Sequence, residues 1–126
     1  MKRTLKSFLA IALAAAATTT AAHHSFAVWD MSQNIEFKGV VETVKFRNPH
    51  AALTLVETQA DGTKRTINFT ETAPANMLVR QGVTPEILAP GKAITAIGAP
   101  RRDNASEYFL KAIVTEDGQR FQIMPP

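Results

Sequence analysis

Cysteine is absent from the 126-residue chain, which rules out disulfides, thiolate metal centres and cysteine nucleophiles. Equally missing are a phosphate-binding glycine loop, a His-Glu-x-x-His motif and a nucleophile elbow around Ser25. Glu42, Glu57, Glu71 and Glu107 are scattered carboxylates with no recognisable acid–base pairing. These absences lead us to expect a binding protein, not an enzyme. Beyond the first residues no apolar run is long enough to span a bilayer, so no integral membrane segment is expected after processing.

The N-terminus is a targeting segment. Lys2, Arg3 and Lys6 make a basic start, Phe8 to Ala17 an apolar run and Thr18 to Ala22 a small-residue end, the layout of a secretory signal peptide. Cleavage after Ala22 divides the chain into a 1–22 signal peptide, a 23–34 N-terminal arm and a 35–126 domain. The expected location is a bacterial periplasm. Three of the 14 basic residues lie in the leader, so 11 remain against 11 acidic ones. A near-neutral mature surface argues against nucleic-acid binding, which depends on excess positive charge.

The stretch Ile35 to Val56 organises the rest. Alternating and β-branched apolar residues flank Arg47-Asn48-Pro49-His50, where Asn-Pro breaks a sheet ladder, so two strands are expected at about 35–47 and 50–58. Apolar residues are odd-numbered before Gly39 (Ile35, Phe37) and even-numbered after it (Val40, Val44, Phe46). That change of phase predicts a β-bulge at Gly39 and a bent first strand. Glu42 then falls in the apolar phase, which places it at a rim or an edge.

Ala60-Asp61-Gly62 reads as a hairpin turn before a third strand, 63–70. Thr72 to Gly82 reads as a short helix: Thr72 can cap, Pro74 sits in the first turn, Met77 and Leu78 form the apolar stripe and Gly82 closes it. Strands at 92–98, 107–115 and around Phe121 follow. The expected fold is all-β with one short helix, a small OB-fold-like barrel of five to six strands. Phe26, Val28 and Trp29 are too apolar to leave in water, so the arm is expected to pack on that barrel.

Three histidines carry the functional clue. His23 and His24 stand at the new N-terminus and His50 beside the Asn-Pro break. A free N-terminal histidine offers its α-amine and a ring nitrogen to one ion, a second imidazole can complete the set, and such nitrogen sites favour Cu(II). A cut after Ala21 would also leave a copper chelator, with histidine in third place. The expected metal ligands are therefore His23, His24 and His50, with Asp30 either orienting an imidazole or making a turn. The alternative is an OB-type adaptor for an anionic glycan, peptide or periplasmic protein. It would use Asn48 and His50 in the first inter-strand loop and Arg101 and Arg102 in the fourth.

His23-His24-Ser25-Phe26 after a signal, Gly39-Val40-Val41, Asn48-Pro49-His50-Ala51, and then Glu71, Pro74, Leu78 and Gly82 resemble a family of small exported bacterial proteins classed as a domain of unknown function. The resemblance implies a periplasmic β-barrel and no assigned activity. In that family an aromatic residue, often Trp, stands just before the glutamate that Glu71 matches; here Phe69 is the nearest.

Overall fold

The computed structural model describes residues 24–126, with side chains from Phe26 onward. After one turn of helix, α1 (His24–Ala27), come β1 (Ile35–Lys45), β2 (Ala52–Thr58), β3 (Lys64–Glu71), α2 (Ala75–Arg80), β4 (Ala93–Pro100), β5 (Glu107–Thr115) and β6 (Arg120–Gln122). The sheet order is β3-β2-β1-β4-β5-β6, and a parallel β3–β5 pairing closes five strands into a barrel. A helix between β3 and β4 completes the OB-type order expected from sequence. The extra strand β6 pairs with Ala112–Val114 of β5.

Strand β1 is shared between two neighbours, pairing with β4 over Ile35–Val40 and with β2 over Val40–Lys45. The bulge that permits this lies at Glu42, between Val41 and Thr43, and not at Gly39. Phe37 and Val41 point inward, so the odd phase persists past Gly39, and Val40 is left 44% exposed. Ejecting Glu42 restores an inward Val44 and Phe46, because an extra residue in one strand flips the faces of those that follow. A charged residue in apolar phase is thus the bulge itself. Gly39 serves a different purpose: a Cβ there would lie 2.3 Å from the Val56 carbonyl oxygen.

Phe37, Val41, Leu53, Leu55, Ile67, Phe69, Leu110 and Ile113 fill the barrel. At one mouth Phe37 meets Tyr108 edge to face at 4.6 Å, and the Arg65 guanidinium, paired with Glu57, covers the Phe37 ring at 5.7 Å. Helix α2 plugs the barrel with Leu78, while Met77 stays 42% exposed. It is shorter than expected and has no side-chain cap, since the Thr72 hydroxyl donates instead to the Leu110 carbonyl. Gly82, at φ +88°, ends it in the left-handed conformation that favours glycine.

Candidate functional site

The arm packs on the barrel as its aromatic content suggests. Trp29 is 2% exposed, buried with Ala99 and Phe109, whose ring meets it edge-on at 5.8 Å. Its backbone forms an isolated bridge with Arg101, and Asp30 N–H and Arg102 N–H complete the attachment to Pro100 O and Val28 O at 2.8 Å each. Farther along, the buried Lys111 ammonium donates to Met31 O at 2.8 Å and to Asn34 Oδ1 at 2.7 Å. A lysine within the apolar run Tyr108–Val114 signals such a partner, because a buried charge needs acceptors.

The loop between β1 and β2 is stitched to the start of α2. Arg47 O accepts from Ala75 N–H at 3.1 Å, Asn48 Oδ1 from Asn76 N–H at 3.4 Å, and Arg47 Nε donates to His50 O at 3.1 Å. This holds His50 against the end of β3. Its Nδ1 lies 3.3 Å from both Glu71 Oε1 and the Thr72 carbonyl. Both neighbours are acceptors, so Nδ1 is the nitrogen that donates, and in the neutral ring Nε2 keeps the lone pair. The imidazole remains 47% exposed.

The other oxygen of the same carboxylate, Glu71 Oε2, accepts from Trp29 Nε1 at 3.2 Å. Glu71 therefore joins the arm to the histidine loop. Strand parity gave no signal for it: the β3–β5 register shifts between Phe69 and Glu71, and the irregularity pairs Glu71 with Phe109, beneath the arm, while Phe69 stays in the barrel core.

The candidates of the fourth loop are engaged within the fold. Arg101 donates to Asp103 Oδ1 at 2.6 Å and Glu107 Oε2 at 2.9 Å, and its guanidinium lies 5.7 Å from the Trp29 ring centre. Arg102 pairs with Asp30 at 3.4 Å. Asp30 makes a turn, accepting from Ser32 Oγ and Gln33 Nε2 at 2.7 Å each. The segment expected to be a signal peptide and His23 lie outside the described residues, as does the His24 side chain. Among the described residues no three of His, Cys, Asp and Glu gather as a metal-holding group.

Hydrogen bonds from Gln33 and Ser32, with the Arg102 charge nearby, hold the Asp30 carboxyl below its ordinary value. A carboxylate with a depressed pKa contributes stability above its unfolded value, and that contribution is lost as pH falls through the folded value. Acidification below about pH 4 is expected to loosen the arm. The emission of Trp29, the one tryptophan, should shift to longer wavelength there, and Asp30→Asn should remove that arm-specific step; an unaltered profile in the variant would assign the step elsewhere.

The fold and its clasp define a small closed β-barrel whose N-terminal arm is pinned beside an exposed histidine. The chain belongs to the family of unknown function DUF6152, whose model matches residues 11–109. No curated protein and no solved structure matches it. Among the described residues no helix is long and apolar enough to cross a membrane.

Proposed function

We propose that this is an exported, non-enzymatic metal-holding protein of a bacterial periplasm, in which His50 Nε2 and the nitrogens of a processed His23–His24 terminus hold one Cu(II) ion. The observation that carries the reading is the Glu71 bridge. Metal-binding histidines usually donate their second ring nitrogen to a carboxylate or carbonyl, which fixes the ring and leaves the other nitrogen free. His50 Nδ1 hydrogen-bonds the Thr72 carbonyl and lies 3.3 Å from the Glu71 carboxylate. Through Trp29 the same carboxylate anchors the arm five residues after His24, a tether of about 18 Å at most when extended. So short a tether raises the effective concentration of the terminal nitrogens around His50. Imidazole and amine donors without thiolate suit Cu(II), and Ni(II) less strongly.

The test is a Cu(II) titration of protein exported and processed in a bacterial periplasm, its first residue established by intact mass. One-to-one, sub-micromolar binding with quenching of Trp29 is expected. His50→Ala should weaken it more than tenfold, about 1.4 kcal/mol. Affinity unchanged by that substitution would reduce the histidines to a terminal chelating peptide, and absence of binding would remove the metal reading.

A further inference from the structure

We infer that the outer surface of β1–β2–β3, beside the Arg47–His50 loop, is a second binding site, for a small hydroxylated anion: a sugar bearing a carboxylate or a phosphate. The surface carries a groove of about 280 Å³. Its floor is dictated by register. Thr43, Thr54 and Asn68 are successive partners across the three strands, so their polar side chains form one row at the inter-strand spacing of about 4.8 Å. Lys45 pairs with Ala52, whose methyl group leaves the space beside it empty. Thr70 adds a further hydroxyl to the lining.

The lining of this groove holds two cations and no carboxylate, whereas Glu116 lines both of the neighbouring grooves that hold Lys38 and Lys92. Arg65, Arg101 and Arg102 each have a carboxylate partner. Lys45 and Arg47 line the groove together and neither forms an ion pair among the described residues. Arg47 uses Nε on the His50 carbonyl, which leaves its terminal N–H groups to face a ligand. A guanidinium and an ammonium side by side recognise an oxyanion, and the row of hydroxyl and amide groups can both donate to and accept from ring hydroxyls.

Stacking chemistry is absent from the lining. Its one aromatic residue, Phe69, is 1% exposed, so the groove has no platform for nucleobases. The size suits one or two sugar rings. None of these residues is a metal ligand in the proposed function, and the two sites are separable.

The test uses the full processed protein in the presence of a chelator, followed by backbone amide resonances. The probes are glucuronate, glucose 6-phosphate, glucose and inorganic phosphate. One of the two acidic sugars is expected to shift Thr54, Asn68 and Thr70 with a Kd on the order of 1 mM; which one does so identifies the anion. Glucose and inorganic phosphate should bind at least about tenfold more weakly. Lys45→Gln should weaken the sugar about fivefold or more with an unchanged melting temperature, and Thr54→Val should do so without altering charge. Equal binding of inorganic phosphate would show a bare charge patch, equal binding of glucose would remove the anion requirement, and no shift at these amides would remove the site; each overturns the inference.

Discussion

Gly39→Ala is expected to lower the melting temperature by more than about 10 °C. The added methyl would sit 2.3 Å from the Val56 oxygen and 2.8 Å from its carbon. Those are backbone atoms of β2, where Val56 is paired with Val40 on one side and Thr66 on the other. Neither side chain rotation nor a local shift can relieve the contact, because β2 would have to leave two ladders at once. We expect a cost of about 3 kcal/mol or more, a large fraction of the stability of a domain this size. Gly118→Ala is the control. That glycine has φ +89° and nothing within 4 Å of an added Cβ, so it should cost only the backbone strain of about 1–2 kcal/mol. Equal losses in the two variants, measured by reversible thermal unfolding, would refute the close-approach role of Gly39.

The same stretch shows how far the sequence alone carries. Strand existence was legible because β2 and β3 alternate and β4 and β5 are short apolar runs bounded by turn residues. The presence of a bulge was legible too, since a one-residue change of phase has no other cheap geometric origin. Its position was not. Val40 looks like a core residue by composition and Glu42 like a misfit, whereas the fold exposes the valine and ejects the glutamate. Packing against two different neighbours decides between them, and those neighbours are distant in sequence.

The site divides in the same way. His50 could be singled out because it stands at a break between strands, where a side chain is held by backbone geometry. Arg101 and Arg102 looked like free cations because their partners, Asp30, Asp103 and Glu107, are indistinguishable in sequence from solvated charges. Closure of the barrel by β3 and β5 brings Glu107 beside Asn68, and the arm lies across that seam. The result is a loop whose cations fasten the arm. Glu71 was legible as a motif position and not as a contact, for its two partners lie 42 and 21 places away.

Glu71→Ala is accordingly the decisive functional variant. It removes the acceptor of the Trp29 indole and the carboxylate 3.3 Å from His50 Nδ1 in a single step. Two effects should appear together. Trp29 emission should move to longer wavelength as the indole N–H loses its buried partner, and Cu(II) affinity should fall by about 10- to 100-fold, the usual penalty for losing a residue that orients a ligand. Their coupling is the sharper expectation. If Glu71 acts by presenting His50, then Glu71→Ala combined with His50→Ala should bind copper little worse than His50→Ala alone, since the second deletion removes what the first would have positioned. Additive losses would mean that Glu71 acts on the arm without acting through the histidine. Glu71→Gln separates the two roles: its amide oxygen can accept from the indole or from the imidazole but offers no charge to either, so the emission should recover more fully than the affinity.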